Sequence, residues 1–227
     1  MTSTFNNKPT YFYFSATDRK LRYGDGREIK TGGTHTVKGF IKLCTRGLHA
    51  SKRIIDALGY APGPILHLVT LGGKVVHGDD KSVATERTYV ASFDATEILR
   101  EFARKQALIN IELIKPYCEA EEYELIVEYL KSGREDLRAA AESAAESAAE
   151  SAAESAAWSA AWYAWSAGSA AGSAAGSAAE SAARSAEPAT WSAAKSAAWS
   201  AANKMLLQMI KDATGWLDKN PSPEIYL

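Results

Sequence analysis

Short apolar runs, several of them alternating with polar residues, predict β-strands in the first hundred residues. The clearest runs are residues 11–16 (YFYFSA), 65–71 (ILHLVTL) and 85–93 (TERTYVASF). They are rich in the aromatic and β-branched residues that strands favour. Gly72-Gly73 follows the second run and precedes KVVHG, so we expect a tight hairpin turn there. The pattern therefore predicts a small mixed sheet.

Helical periodicity replaces this pattern after residue 95. Apolar residues between Ile98 and Gln106 recur with a period near that of an α-helix, and Pro116 is expected to end this segment. Residues 121–130 predict a second amphipathic helix, which Ser132-Gly133 ends. A shorter helix is predicted at residues 51–58, with Ser51 as its N-cap. With the sheet, these covering helices predict an α+β ligand-binding domain over residues 1–133.

The second part of the chain is dominated by a low-complexity array at residues 139–202. Alanine supplies 31 of its 64 residues and serine 14, mostly in the repeating unit S-A-A-x. Alanine is the strongest helix former, and Pro188 must interrupt the helix. Five of the six tryptophans of the chain lie in the array, which indicates a packed surface. We predict an antiparallel helical module over residues 134–216 and a tail at 217–227.

Three interpretations of this Ala-rich module stay open. It is a rigid stalk, a helical hairpin packed on its own chain, or a surface through which copies of the chain form a homo-oligomer. The clustered tryptophans favour the homo-oligomer, since an exposed Ala/Trp face would be an unusually large apolar patch for a monomer. Periodicity alone does not separate contacts within one chain from contacts between chains.

Composition narrows the class of protein. The 227 residues carry 26 basic and 27 acidic side chains, and the average apolar content excludes a wholly disordered chain. A net charge near zero argues against a nucleic-acid binder. Cys44 and Cys118 lie far apart without metal-ligand spacing, which is typical of a reduced cytosolic protein. The start of the chain has no signal-peptide pattern and no segment has about 18 consecutive apolar residues, so we expect a cytoplasmic protein without membrane association.

A basic stretch at residues 38–63 is the main candidate for a binding site. Its cations precede its first acidic residue, Asp56, and the predicted helix N-terminus at Ser51 would add free N–H groups for a phosphate. Residues 77–87 are expected to lie nearby, although Asp79-Asp80-Lys81 is also typical of an ordinary turn. The candidate ligand-binding residues are Lys42, Arg46, His49, Ser51, Lys52, Arg53, Lys81, Arg87, Tyr13 and Tyr60. A purely structural role stays open, because capping alone explains Ser51.

No motif of a known catalytic class occurs in the chain. There is no GxSxG sequence, Walker loop, GxGxxG, HExxH or paired-carboxylate signature. His35 and His67 have no metal-ligand spacing with any partner, so no metal and no cofactor are expected. The pattern favours a binding protein over an enzyme.

Several segments together resemble one family. They are LCTRGLHAS (43–51), DALGYAPG (56–63), GKVVHGDDKSVATER (73–87), ILREFARKQAL (98–108) and YLKSGREDLRAAAESAA. This combination resembles uncharacterised phage and bacterial proteins in which a front domain with a GLHAS motif precedes an Ala-rich helical array. The resemblance carries no established activity, and it implies a host cytoplasmic location if the protein is phage-encoded.

The front domain is also similar, over a short motif, to ADP-ribosyltransferase-like cores that bind NAD. An aromatic first strand, a G-[IL]-[HY]-x-[ST] segment before a helix and a later acidic residue carry this similarity. The matching positions are Gly47, His49 and Ser51, with Glu86 as the acid. The resemblance implies that His49 and Ser51 would orient NAD and that Glu86 would polarise a nucleophile.

These observations lead to three functional hypotheses. The first is a non-catalytic protein that captures a nucleotide-derived signalling molecule, such as an ADP-ribose-like or cyclic nucleotide, and so counters host antiviral signalling. Binding without turnover needs only phosphate contacts and a stacking surface, which the basic and tyrosine residues supply. The second is an ADP-ribosyltransferase-like enzyme. The third is a structural protein that binds partners through its helical array.

Overall fold

The computed structural model describes residues 10–151 and 191–215 of the chain. The chain divides into two compact units. The first contains the residues up to Ala95 together with the end of the last helix from Ile210, and the second runs from Thr96 to Met209. The expected division at residue 133 into a binding domain and a helical module stays a prediction, and the compact units divide earlier.

An antiparallel sheet forms the first unit. Its strands are β1 (Thr10–Ser15), β2 (Thr34–Thr36), β3 (Leu48–Ala50), β4 (Ile65–His77) and β5 (Ser82–Asp94). β1 pairs with β4, and β4 pairs with β5 along nearly its whole length. The free side of β5 pairs with β3 near its start and with β2 further along. Together with the helices described below, this sheet makes the protein an α+β fold.

The sheet curls until its two ends meet. Ser51, directly after β3, forms an isolated antiparallel bridge with Phe12 of β1, with backbone N–H to O distances of 2.8 and 2.9 Å. The pairings β1–β4–β5–β3 therefore form a closed ring, as in a small barrel. β4 and β5 bend where the register shifts between Leu68 and Val69 and again between Gly72 and Val75, since bulges increase the twist of a strand pair.

Alternation along the strands separates two sets of core side chains. Tyr11, Val69 and Tyr89 belong to one buried cluster with Leu21, Ile29, Leu48 and Ala50. Phe12 and Phe14 alternate with Tyr11 on β1 and are also buried, as period-two geometry requires for the opposite face. The short helix α1 (Ile54–Leu58) contacts β1, and all five of its residues are buried.

Helices form the second unit. They are α2 (Thr96–Ile109), a 3₁₀ helix (Ile111–Tyr117), α3 (Ala120–Ser132), α4 (Glu135–Ser151) and most of α5 (Trp191–Thr214). α3 packs against α2 and α4. α4 buries a stripe of alanines, and the Gln106 amide on α2 donates to the Met205 thioether on α5 at 3.2 Å. Gly133 ends α3 with a φ of +66°.

The structure confirms most predicted elements and corrects two. Gly72-Gly73 is not a hairpin turn, because β4 continues through both residues to His77 and bulges there. The hairpin turn lies instead at Gly78, whose N–H donates to the Lys81 carbonyl at 2.8 Å. α1 begins at Ile54 and not at residue 51, so Ser51 is not its N-cap.

Parts of the predicted Ala-rich module lie outside the described residues. α4 and α5 cover the two ends of the array, both as helices, whereas the central repeats and the predicted tail at 217–227 belong to the segments that are not described. The antiparallel module and the homo-oligomer therefore stay predictions. None of the helices in residues 10–151 and 191–215 combines the length and apolar character needed to span a bilayer.

Candidate functional site

The two charged segments singled out in the sequence lie side by side in the structure. β3 pairs with the start of β5, with Ala50 opposite Ser82, and the loop before β3 folds back toward the turn that precedes β5. Leu43 of the loop packs against this turn, where a Cβ added to Gly78 would lie 3.0 Å from a Leu43 methyl group. The expected proximity of residues 38–63 and 77–87 follows from this strand pairing.

Hydrogen bonds within the loop hold its shape. The Lys42 N–H donates to the Arg46 carbonyl and the Arg46 N–H to the Lys42 carbonyl, at 2.8 and 2.9 Å. The His49 ring nitrogen Nε2 accepts the backbone N–H of Cys44 at 3.2 Å, and the ring also bonds to the backbone of Gly47. Burial lowers the pKa of His49, and the nearby Lys81 and Arg87 lower it further. His49 is therefore a neutral brace of the loop.

The loop and the turn together carry a surface that we call the basic face, formed by Lys42, Arg46, Lys81, Phe40 and Tyr60. The Arg46 guanidinium lies 5.0 Å from the Phe40 ring centroid, and the Lys81 ammonium lies 3.7 Å from that of Tyr60. Both rings are exposed, Phe40 by 63% and Tyr60 by 53%. Exposed aromatic rings next to cations are the combination that stacks a base and contacts a phosphate.

The cations of the basic face form no direct ion pair in the described part of the chain. Within residues 10–151 and 191–215, none of Lys42, Arg46 and Lys81 has a carboxylate oxygen within 4.0 Å of its cationic nitrogens. Asp80 instead accepts the hydroxyl proton of Tyr60. Burial works to lower the pKa of Lys81, but hydrogen bonds to Tyr60 and Cys44, together with the charges of Tyr60 and Asp80, outweigh it and leave that pKa raised. Lys81 therefore stays charged.

The predicted phosphate cradle at Ser51 does not form. Ser51 is 2% exposed and is part of the strand bridge to Phe12. The guanidinium of Arg53 makes a two-pronged ion pair with Asp56, at 2.7 and 3.0 Å. Lys52 is exposed. α1 starts after Arg53, so Ser51 lies outside the helix and its side chain does not cap it.

The residues expected for ADP-ribosyl transfer are not brought together. Glu86 lies opposite Thr36 and Gly72 in the sheet, whereas His49 lies opposite Val83. Three residues along a strand separate these positions by about 10 Å. With His49 bracing the loop and Ser51 buried, the arrangement lacks a nucleophile-activating constellation.

A second group of polar residues lies inside the curled sheet. We call it the interior cluster, formed by Arg87, Tyr89, Tyr13, His35 and His67. Arg87 is 2% exposed, and its guanidinium carbon lies 3.7 Å from the Tyr13 ring centroid. Its Nε and Nη2 groups donate to the Tyr89 hydroxyl at 3.1 and 2.8 Å, and Nη1 donates to the His49 carbonyl.

The hydrogen bonds of His35 fix the direction of this network. Nε2 of His35 lies 3.1 Å from the Glu28 carbonyl, which only accepts, so this nitrogen carries the proton. Nδ1 then accepts the Tyr89 hydroxyl proton at 2.9 Å, and the Tyr89 oxygen accepts from Arg87. Burial lowers the pKa of His35, with Arg27 and Arg87 lowering it further.

His67 is fully buried and also neutral. The Ser15 hydroxyl donates to the Ala16 carbonyl and therefore accepts from Nε2 of His67 at 2.7 Å. Nδ1 then accepts from the Ser92 hydroxyl, also at 2.7 Å. Burial lowers the pKa of His67 to about 3, and Arg87 and Arg19 contribute to that shift. The interior cluster thus contains one cation among neutral groups.

Sequence reasoning included Arg87 and Tyr13 but missed Tyr89, His35 and His67 as their partners. Strand register collects them: His35 lies opposite Arg87, and His67 lies opposite Tyr13. A signal for His67 was present, since it is the one titratable residue within the apolar run ILHLVTL. Within the described part of the chain, no three His, Cys, Asp or Glu side chains gather as a metal site requires.

Comparison with known proteins finds one similarity. The model of a domain of unknown function, DUF7666, matches residues 14–101. This segment contains all five strands except the first residues of β1, and it contains the whole basic face. No curated protein and no solved structure matches the chain.

Proposed function

We propose that this protein is a non-catalytic binding protein that captures a phosphate-bearing, nucleotide-derived small molecule on its basic face. The observation that carries the proposal is a set of three cations, without ion-pairing carboxylates among the described residues, beside two exposed aromatic rings. Phosphate oxygens accept charge-assisted hydrogen bonds from such cations, and a nucleobase stacks on such rings. The loop that holds these groups is already braced by His49, so binding needs little ordering.

The chemistry of the basic face favours binding over turnover. Its protein groups are cations, aromatic rings and a carboxylate that is already bonded to Tyr60. The neutral His49 uses its ring to hold Cys44 and Gly47, so it is not available as a general base. The separation of Glu86 from His49 gives no support to the ADP-ribosyltransferase alternative.

The biological role that we propose for this capture is sequestration. This proposed role rests on the resemblance of the sequence to phage and bacterial proteins with a GLHAS motif. A cytoplasmic phage protein that binds a host signalling nucleotide one-to-one, without destroying it, would lower the free concentration of the signal. A homo-oligomer formed through the Ala-rich helices would multiply the number of sites per assembly.

Mass spectrometry of retained small molecules tests the proposal. The full-length protein is incubated with nucleotide extract, separated from free ligand by gel filtration, denatured, and its released molecules are identified. We expect an intact nucleotide-derived molecule at about one per chain. Hydrolysed or ADP-ribosylated products would overturn the proposal in favour of an enzyme, and an empty protein would overturn capture of the molecules present.

Matched charge variants locate the site. Lys42→Gln, Arg46→Gln and Lys81→Gln together should lower retention more than tenfold, since each charge-assisted contact contributes on the order of 1–3 kcal/mol. The control triple variant Lys30→Gln, Lys74→Gln and Lys105→Gln changes the net charge equally and should retain the ligand. Equal loss in both variants would show that net charge, and not the basic face, governs binding.

A further inference from the structure

Arg87 is a buried cation that has no ion-pairing carboxylate in the described part of the chain. Within residues 10–151 and 191–215, no carboxylate oxygen lies within 4.0 Å of its guanidinium, although the side chain is 2% exposed. Removing a cation from water costs several kcal/mol unless an anion or a full set of hydrogen bonds compensates. A neutral side chain could donate hydrogen bonds to the Tyr89 hydroxyl and the His49 carbonyl without the free-energy cost of burying a charge.

The hydrogen bonds of Arg87 leave part of its donor capacity unused. A guanidinium has five N–H groups. Three of them donate, two to the Tyr89 hydroxyl and one to the His49 carbonyl. One N–H on each terminal nitrogen therefore has no acceptor in the described part of the chain. Two such donors on adjacent nitrogens suit the two oxygens of a carboxylate or phosphate.

The groups around the interior cluster leave the positive charge of Arg87 uncancelled. His35 and His67 are neutral at physiological pH, because burial and the neighbouring arginines lower both pKa values. Asp25, the acid that acts on His35, is already paired with Arg27 at 2.6 and 2.7 Å. The remaining cation near His67 is Arg19. Among the described residues, the carboxylate whose charge acts on His35 is thus already ion-paired, and an anion entering the cluster would meet the charge of Arg87.

Tyr13 covers the guanidinium and is held in place by ring packing alone. Its ring lies on Arg87 at 3.7 Å and stacks on His67 with centroids 5.7 Å apart. Its hydroxyl has no hydrogen-bond partner within residues 10–151 and 191–215, whereas that of Tyr89 has three. Tyr13 and His35 are the half-exposed members of the cluster and mark the side that solvent reaches. Rotation of the Tyr13 ring breaks no hydrogen bond.

We infer that the interior cluster is a binding site for the carboxylate or phosphate oxyanion of a small ligand, with Arg87 as its charged contact and Tyr13 as its movable cover. This site is distinct from the basic face: the His49 backbone lies between them, bonded to Arg87 on one side while its ring braces Cys44 on the other. The inference does not depend on the proposed capture function.

Histidine side-chain spectra of the full-length protein test this inference. The ¹⁵N-labelled protein is titrated with sodium phosphate in one series and sodium acetate in another, at pH 7.5 and with ionic strength matched by sodium chloride. We expect His35 and His67 signals to shift together and to saturate with at least one of the two anions, which also distinguishes phosphate from carboxylate chemistry. His77, which is exposed and bonded to Ser82, flanks the turn that carries Lys81 and is therefore the internal control only in the triple variant described next.

Two variants separate the interior site from the basic face. The triple variant Lys42→Gln, Arg46→Gln and Lys81→Gln should keep the saturable shifts of His35 and His67, whereas Arg87→Met should lose them. Shifts confined to His49 that the triple variant removes would place the anion on the basic face alone and overturn the inference. Absence of a saturable shift with both anions would also overturn it.

A conservative variant keeps the test decisive if Arg87→Met does not fold. Arg87→Lys retains the positive charge but replaces the planar pair of donors with a single ammonium group. We expect it to weaken the anion-dependent shifts of His35 at least fivefold. Unchanged affinity in a folded Arg87→Lys protein would overturn the role of the guanidinium.

Discussion

The same contact occurs twice in this protein with different surroundings. Arg87 lies over Tyr13 and Lys81 lies over Tyr60, and both cations are 3.7 Å from the ring centroid. Tyr60 is more than half exposed and Lys81 is partly exposed, with Asp80 beside them. Arg87 is buried among neutral groups inside the curled sheet.

The difference shows that burial, and not the contact geometry, decides what a cation–aromatic pair does. At an exposed site the pair contributes about 0.5–1 kcal/mol and salt screens its charge. Inside the sheet the same pair leaves a charge that works to lower the pKa values of Tyr89, His35 and His67, each of which burial shifts most. The basic face is therefore suited to an incoming solvated ligand, whereas the interior cluster must desolvate whatever it binds.

Lowering the pH should have the largest effect on stability, because it acts on the buried His67 of the interior cluster. The pKa of His67 is about 3 in the folded protein, against 6.5 for the unfolded chain. Between these values the unfolded chain binds a proton that the folded protein does not, so stability is full above pH 6.5 and falls as the pH drops toward 3. At about 1.4 kcal/mol per pKa unit, His67 alone accounts for a loss of about 5 kcal/mol.

Urea unfolding at a series of pH values from 7 to 4 measures this loss. His67→Gln retains an amide donor and acceptor but does not titrate, so its stability should depend less steeply on pH than that of the wild type. His77→Gln is the matched control at an exposed position and should leave the slope unchanged. An identical slope in His67→Gln and the wild type would contradict the role of His67.

Gly47 lies directly before β3, between the basic face and the interior cluster. Its substitution should have the next largest effect on stability. Its φ is +127°, and an added Cβ would lie 2.3 Å from a Val83 methyl group and 3.1 Å from Ile41. Gly47→Ala should lower the free energy of unfolding by about 3 kcal/mol through backbone strain and overpacking. It should also shift the NMR signals of His35 and His49 together, because His49 on β3 contacts both Arg87 of the interior cluster and the loop of the basic face.

Gly26→Ala is the matched comparison for Gly47→Ala. Gly26 also has a positive φ, of +66°, but an added Cβ would meet nothing within 4 Å. Only the backbone strain of about 1 kcal/mol should remain. Thermal unfolding that ranks the two variants equally would show that packing around Gly47 tolerates a methyl group.

Removal of the Asp80 carboxylate beside the basic face should have the smallest effect, a change in phosphate affinity. Asp80→Asn keeps a hydrogen-bond acceptor for Tyr60 but removes a negative charge near Lys81. We expect phosphate affinity at the basic face to rise two- to fivefold, on the scale of a screened surface interaction. The His35 and His67 signals should not change in the free protein.

A charge-matched substitution on α3 is the control for Asp80→Asn. Glu124→Gln alters the net charge equally at an exposed position of the second unit. Its phosphate titration, followed by isothermal calorimetry, should coincide with that of the wild type. A rise in affinity for Glu124→Gln as large as that for Asp80→Asn would attribute the effect to net charge.

Local patterns in the sequence predicted most of the fold. The runs at residues 11–16, 65–71 and 85–93 became strands because aromatic and β-branched residues fit a half-buried pleated surface. Gly133 ends α3 as expected, since glycine adopts a positive φ without strain. The error at Gly72-Gly73 arose because two glycines fit a bulge as well as a turn, and only pairing with β5 distinguishes them.

The residues of the candidate site could be predicted from the sequence, but their arrangement in space could not. The cations of residues 38–63 and the turn at Lys81 were visible in the sequence, and strand pairing places them together. Ser51 was misassigned because a serine before an apolar run is a common N-cap signal, while the long-range bridge to Phe12 leaves no local trace. The interior cluster depends on four separate strands, so no sequence window contains it.

Closure of the sheet by Phe12 and Ser51 has a consequence for the order of folding. The β4–β5 hairpin joins neighbouring segments through a short turn, and such hairpins form within microseconds. The bridge that closes the ring joins residues 39 positions apart, so its loop-closure entropy must be overcome before its contacts stabilise the chain. We expect pulsed hydrogen exchange to protect the amides of β4 and β5 before those of Phe12 and Ser51, and simultaneous protection would contradict this order. Until that last step, the edge of β1 is an open template for pairing with other chains.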